Sequence, residues 1–267
     1  MNGNDEDRPE TLKNRKDGKM SGGATWYFCN PKDGTEMVLV PGGWFWMGSG
    51  DEDPDAYKSE GPRHLRRVAP FYMALECVTV GQYGGFVEET GHGAGSEWKG
   101  DPDDHPVRFV NWHDAVAYCR WAGLRLPTEA EWELAARGYD ALRFPWGAEW
   151  EEGVRLRWGN QRMGRENTAS VFSYPEGVSP FGIFQMSGNV WEWCRDEYRD
   201  DAYKNPSAKE PASGGGTEAQ RVLRGGTWNC YSSGRLFRAA HRDAGHPKQR
   251  GPDNGFRAAA SLEDLFG

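Results

Sequence analysis

Glycine and aromatic residues are unusually frequent in this sequence, and they limit the folds open to it. The 267-residue chain contains 36 Gly, 13 Trp, 12 Phe and 10 Tyr. Aromatic side chains bury large rigid surfaces, whereas glycine permits the tight turns of irregular backbone. An ordinary helical or doubly wound protein carries fewer of both. The composition therefore predicts a loop-rich fold with small sheets.

Charge and hydropathy disfavour two classes of partner. The chain has 32 Lys plus Arg against 40 Asp plus Glu, a formal charge of -8, so phosphate contacts and nucleic acid are not expected. The longest apolar stretch, Val68 to Leu75, is interrupted by Pro70 and is far shorter than the roughly 20 residues of a membrane helix. Residues 1–20 lack the basic and apolar regions of a signal peptide. We expect no membrane partner and a cytoplasmic location.

The chain is predicted to contain one domain with a tail at each end. Residues 1–24 are charged without periodicity and predict a disordered tail, followed by a domain over 25–262 and a short tail over 263–267. The cysteines are odd in number, widely spaced and without a CxxC pair, so no disulfide framework is expected. They are Cys29, Cys77, Cys119, Cys194 and Cys230.

Three helices are predicted from capping residues and periodicity. In each case a Thr or Asn that can act as an N-cap precedes the helix, and a glycine follows its end. Thr128 and Glu131 also form a capping box. The predicted helices cover about 80–90, 112–122 and 129–137, after Thr79, Asn111 and Thr128.

Short strands are predicted on both sides of these helices. Met37–Val40 and Trp44–Met47 flank a Pro/Gly turn and predict a hairpin. Helical periodicity disappears after residue 139. Strands are predicted there at Arg221–Arg224, Arg235–Arg242 and Gly255–Ala259.

Six motifs between Met37 and Ala259 occur in the order used by one known family. They are FVNWHDAVAYC from Phe109, RLPTEAEWE from Arg125, FPWG from Phe144, GNVWEW from Gly188, RGGTW from Arg224 and GFR from Gly255. The sequence resembles the formylglycine-generating enzyme, or sulfatase-modifying factor, family. The resemblance implies an α+β, C-type-lectin-like fold with little regular secondary structure, small antiparallel sheets and two to three helices.

The family resemblance leaves several functions open. Its relatives include copper oxidases that make formylglycine, sulfoxide synthases, and variable ligand-binding proteins of diversity-generating retroelements. A fold can host many activities, so the site has to discriminate among them. The six histidines form no HxxxH or HxH pair that would indicate a preformed iron site.

The copper motif implied by the resemblance is incomplete. The oxidases use two thiolates five residues apart, and soft sulfur suits Cu(I). Cys230 occupies the first position, whereas the second falls on Arg235, or on Gly234 if one residue is deleted. Neither can ligate copper, so copper is not expected. The alternative hypothesis keeps Cys230 as the catalytic thiol of a divergent oxidase or oxygenase.

The resemblance also implies a calcium loop over Gln185–Glu192. Its ligands by position are a side-chain oxygen of Gln185, the main-chain carbonyls of Gly188 and Val190, and the Glu192 carboxylate. The family usually places Asn or Asp at the first position, so neutral Gln185 predicts weaker binding. Without metal, Trp191 and Trp193 would anchor the loop.

The segment 228–246 has the side chains of an adaptable recognition surface. Tyrosine supplies contact area, and Ser or Asn supplies hydrogen bonds. In retroelement relatives this segment is diversified, and its residues are compatible with that history. We therefore predict a non-catalytic module that binds a protein or peptide; the rivals are the Cys230 oxidase and a structural subunit. The predicted ligand-binding residues are Trp228, Asn229, Tyr231, Arg235, Phe237, His241, Asp243 and His246, and among them Tyr231, Arg235, Phe237, His241 and His246 are expected to be exposed.

Overall fold

The computed structural model describes five stretches of the chain. These are residues 26–151, 155–156, 167–204, 218–230 and 234–266. The predicted tail over 1–24 and the predicted ligand-binding residue Tyr231 lie outside them. No helix within the described stretches has the length and hydropathy of a membrane span.

The first sheet brings the two ends of the domain together and separates two cores. Alternate residues of one strand enter opposite cores, with Met37 and Leu39 on one side and Val38 and Val40 on the other. The sheet is therefore a wall shared by both cores. Its antiparallel order is β1-β2-β5-β10, for β1 (Tyr27–Cys29), β2 (Glu36–Val40), β5 (Phe71–Ala74) and β10 (Ala259–Ser261).

The second sheet shows that the predicted hairpin is wrong. Both of its strands form, but β3 (Gly43–Met47) pairs with β4 (His64–Val68) instead of β2. The chain leaves the first sheet through Gly42, which has a φ of 71°. A Cβ atom at this position would lie 2.5 Å from the carbonyl oxygen of Val68. The turn therefore needs glycine both for its left-handed backbone and for this close approach.

The three predicted helices are confirmed, with a capping box at each N-terminus. They are α1 (Val80–Thr90), α2 (Trp112–Trp121) and α3 (Glu129–Arg137), capped by Thr79, Asn111 and Thr128. A further short helix, α4 (Leu262–Phe266), occupies most of the segment predicted as a C-terminal tail. Ser261 and Asp264 each accept a hydrogen bond from the other's backbone N–H at its start, and the Phe266 ring packs against Phe28 and Tyr72, at centroid distances of 6.1 and 6.0 Å.

The third sheet carries the C-terminal motifs in the order β8-β7-β6-β9. Its strands are β6 (Trp191–Glu197), β7 (Arg221–Arg224), β8 (Arg242–Gly245) and β9 (Asn254–Gly255), antiparallel except for the β6–β9 pair. The predicted strand Arg221–Arg224 is confirmed, whereas β6 was missed.

Two of the predicted strands in this region need correction. The strand predicted over Arg235–Arg242 is wrong, because Arg235–Phe237 forms a 3-10 turn and pairing begins only at Arg242. The turn starts from Gly234, at a φ of 63°, and points Phe237 into the interior. The strand predicted over Gly255–Ala259 is divided between β9 and β10, which lie in different sheets.

Candidate functional site

The predicted binding segment is partly interior and partly surface. Trp228, Phe237 and His241 have exposed fractions of only 6%, 0% and 5%. The expected exposure of Phe237 and His241 is therefore wrong. Arg235 is half-buried, and the exposed residues in the described part of the segment are Asn229, Asp243 and His246.

Phe237 is buried because it closes a small aromatic core. Its ring stacks on Trp150 with centroids 5.5 Å apart and planes 19° apart. Glycine at 226 makes room for it, since a Cβ atom there would lie 2.7 Å from Cδ1 of Phe237. The Phe237 side chain is therefore part of the packed scaffold that holds the flanking residues in place.

A buried carboxylate holds His241. Nδ1 of His241 lies 3.0 Å from Oε1 of Glu60, and Arg238 donates one hydrogen bond of 2.7 Å to each oxygen of Glu60. Ser49 donates a further bond of 2.7 Å. Burial alone would raise the pKa of Glu60, but these hydrogen bonds and the Arg238 charge lower it to about 2. Glu60 is therefore ionised and can only accept hydrogen bonds, so Nδ1 of His241 carries the proton.

The other ring nitrogen of His241 has no partner. Burial lowers the pKa of His241, against the opposing effect of the hydrogen bond with Glu60, so the ring is neutral at pH 7. With the proton on Nδ1, Nε2 presents a lone pair. That atom is buried and makes no hydrogen bond within the described part of the chain. The ring packs against Tyr57 and Trp191, at centroid distances of 5.0 and 5.7 Å.

Trp228 supplies a second unpaired polar atom. Its Nε1–H group is buried and has no acceptor among the described residues. Its backbone N–H donates to the carbonyl of Asn189 at 2.8 Å, and the Arg108 guanidinium lies 5.7 Å from its ring centroid. These contacts fix the indole in place. A buried polar group without a partner costs about 1–3 kcal/mol, and in native proteins such a group calls for a water or a ligand.

Tyr57 joins this site from the loop between β3 and β4, and the sequence argument missed it. The Arg235 guanidinium lies 4.0 Å from the Tyr57 ring centroid. Arg235 Nε and Arg238 Nη2 both donate to the carbonyl of Asp55, at 3.0 and 2.8 Å. The loop is thereby tied to the binding segment. The sequence signal for this contact was the excess of acidic residues in the loop, which can pair with the arginines of the binding segment.

Cys230 lies in the same small aromatic core as Phe237 and is buried. The two positions considered for a second thiolate are occupied differently. Arg235 is engaged with Tyr57 and Asp55. A Cβ atom at Gly234 would lie 3.3 Å from the Trp150 ring. Within the stretches that the structure describes, no group of three or more His, Cys, Asp or Glu side chains is arranged to hold a metal ion.

The two side chains among the predicted calcium ligands, Glu192 and Gln185, take part in protein hydrogen bonds. The Glu192 carboxylate accepts from Arg257 Nε at 2.6 Å, from Arg257 Nη2 at 2.7 Å and from Trp132 Nε1 at 2.7 Å. Gln185 donates through Nε2 to two carbonyls, and its Oε1 accepts from Asn189.

The side-chain oxygens of the predicted calcium ligands thus already have protein partners. Gly188 and Val190 lie in the same buried turn. The one carboxylate of the set is already neutralised by the guanidinium of Arg257. A divalent cation would have to displace that charge before binding oxygen. Calcium there remains a prediction, and its consequences for stability are set out in the Discussion.

Comparison with known proteins agrees with this geometry. The model of the sulfatase-modifying factor enzyme 1-like domain matches residues 27–262. The chain belongs to the formylglycine-generating enzyme family. A formylglycine-generating enzyme of Thermomonospora curvata is 35% identical over 286 residues, which cover 84% of this chain and 93% of the relative.

Solved structures show the same family fold. PvdO from Pseudomonas aeruginosa superposes with a TM-score of 0.74 at 28% identity, covering 88% of this chain and 98% of PvdO. Treponema denticola variable protein 1 superposes with a TM-score of 0.67 at 21% identity, over 88% of this chain and 98% of that protein. The predicted C-type-lectin-like, formylglycine-generating-enzyme-type fold is confirmed.

Proposed function

We propose that this member of the formylglycine-generating enzyme family binds a protein or peptide ligand through the segment 228–246. One observation carries the proposal: two residues of this segment, Trp228 and His241, each bury a polar atom that has no partner among the described residues. A ligand that reached these atoms would relieve both desolvation penalties. Asn229 and Asp243, exposed residues of the same segment, would supply further polar contacts to the ligand.

The scaffold beneath this site supports recognition by a preformed surface. Arg238 is buried and spreads hydrogen bonds over Glu60, Asp53 and the Asp55 carbonyl. Ordering such groups before the ligand arrives reduces the entropy lost on binding. The site therefore combines rigid aromatic residues with exposed polar ones, as adaptable binding surfaces do.

The second candidate is a protein-modifying oxidase that uses Cys230. It is favoured by the 35% identity to an enzyme named formylglycine-generating over 93% of that enzyme's length. It is disfavoured by Arg235 and Gly234, which offer no second thiolate to Cu(I).

A peptide assay separates the two candidates. The purified protein, supplied with Cu(I) and oxygen, is incubated with a Cys-x-Pro-x-Arg peptide, and the mass of the product is measured. We expect unchanged peptide. Formylglycine formation that Cys230→Ser abolishes would establish the oxidase and overturn the binding proposal.

Selection from a displayed peptide library tests binding directly. Peptides that bind the protein should lose at least about tenfold in affinity, or ~1.4 kcal/mol, for Asn229→Ala and Asp243→Ala combined. Arg120→Ala is the matched control, because Arg120 is exposed on α2, outside the segment. Selected peptides that bind the double variant and the wild type equally would place recognition elsewhere and refute the proposal.

A further inference from the structure

The unpaired nitrogen of His241 determines what kind of ligand group the site accepts. Glu60 is ionised and lies 3.0 Å from Nδ1, so the hydrogen of the neutral ring is confined to Nδ1. Nε2 is then a hydrogen-bond acceptor, and it is buried without a donor among the residues that the structure describes. Trp228 Nε1, by contrast, is a donor without an acceptor among the same residues. A ligand group opposite His241 Nε2 must therefore be a donor, and one opposite Trp228 Nε1 must be an acceptor.

We propose, resting on the function proposed above, that His241 takes a neutral donor group of the ligand, such as an amide or hydroxyl, and rejects carboxylates. The group donates to His241 Nε2. A carboxylate has only acceptor atoms, so its lone pairs would oppose that of Nε2. Glu60 is the positioning residue, because it selects the ring tautomer without touching the ligand.

The charges around His241 favour the neutral form of both partners. The groups that face the ring are Glu60, Arg238 and Asp243, with the Tyr57 and Trp191 rings on its sides. Glu60 is already matched by two hydrogen bonds from Arg238. Once protonated, Nε2 would itself be a hydrogen-bond donor and would face the donor group of the ligand. Binding should therefore weaken as the pH falls through the pKa of His241.

Access to Nε2 involves Tyr57. The Tyr57 ring packs on His241 and is half-buried, on a loop tied down by Arg235. Tyr57 belongs to neither of the two main cores, so an outward movement of its ring would leave both cores in place. A small donor group should therefore reach Nε2 in the folded protein.

Nitrogen NMR of histidine-labelled protein tests the tautomer without any ligand. At pH 7.5 we expect His241 to show a protonated Nδ1 and an unprotonated Nε2. His246, which has a side-chain exposure of 47% and does not contact Glu60, is the internal control. In Glu60→Gln the fixed tautomer should give way to a mixture. A neutral His241 with its proton on Nε2 in the wild type would overturn the proposal, whatever the stability of the variant.

Acetamide and acetate test the ligand class, because they match in size and differ in the donor. We expect acetamide to shift the His241 Nε2 signal at pH 7.5, and this shift to shrink as the pH falls through the pKa of His241. Acetate at equal concentration should leave the His241 signal in place. Equal shifts from the two probes would refute the specificity. If a selected peptide perturbs Asn229 and Asp243 but not His241, this inference fails and the binding proposal stands; if it perturbs none of these residues, the binding proposal fails as well.

Discussion

Glu192→Gln should strongly destabilise the protein, because it removes the charge that balances Arg257 inside the core. Both side chains have an exposed fraction of 0%. Breaking one partner of a buried ion pair costs about 3–5 kcal/mol, since the remaining charge stays buried and uncompensated. For a domain of this size, 1 kcal/mol shifts the melting temperature by roughly 2–4 °C. The melting temperature should therefore fall by roughly 6–20 °C.

Thermal and urea unfolding of the purified variant provide the measurement. Glu197→Gln is the matched control, because Glu197 lies on the same strand but is only half-buried. Its stability should stay within about 0.5 kcal/mol of the wild type. A Glu192→Gln variant as stable as this control would show that the pair with Arg257 contributes little, and would refute the reasoning.

Calcium provides an independent check of the same reasoning. If Arg257 neutralises Glu192, excess calcium and chelator should leave the melting temperature of the wild type unchanged. If calcium is a ligand of Glu192 instead, it should raise that temperature by mass action. The gain should then vanish in Glu192→Gln. That second pattern would establish the predicted calcium loop and overturn the ion-pair account.

Four further substitutions test the fold. Burial, together with the charge of Glu36, raises the pKa of Glu76 to about 8, so the folded state loses stability as pH rises from 4.5 towards 8. Over that pH range the free energy of unfolding of Glu76→Gln should rise relative to that of the wild type by on the order of 4 kcal/mol, as measured by urea unfolding. A difference in unfolding free energy that does not change with pH would contradict this. Gly42→Ala and Gly34→Ala both place a side chain at a φ above +70°, but only the first meets backbone atoms. Gly34→Ala should cost about 1–2 kcal/mol and Gly42→Ala at least about 2 kcal/mol more; equal melts would exclude the clash. Thr128→Ala should cost about 0.5–2 kcal/mol by removing the acceptor of the Glu131 N–H group, and an unchanged melt would deny the cap a role.

The elements with local causes were predictable from the sequence. The helix beginning after Thr128 is specified within four residues, because Thr128 and Glu131 satisfy each other's backbone N–H groups. The family motifs likewise predicted the fold. These signals are short in sequence, and no distant residue is needed to produce them.

Elements that depend on distant contacts were not predictable in the same way. Apolar and aromatic residues in 235–242 suggested a strand, but Phe237 turns inwards because Trp150 and Gly226 create space for its ring. The hairpin prediction was wrong for a similar reason, since β3 pairs with β4, which follows a long polar loop. Strand propensity is only a weak guide where packing decides the outcome.

The candidate site combines both kinds of information. The sequence pointed to Trp228 and His241 through their chemistry, but not to Glu60, which lies 181 positions from His241 in the chain. Glu60 alone explains which nitrogen of His241 holds the proton. A residue with no recognisable motif around it thus sets the hydrogen-bonding character of the segment. The same buried ion pair with Arg238 that stabilises the loop also selects the ligand group, so loss of Glu60 should alter specificity and stability together.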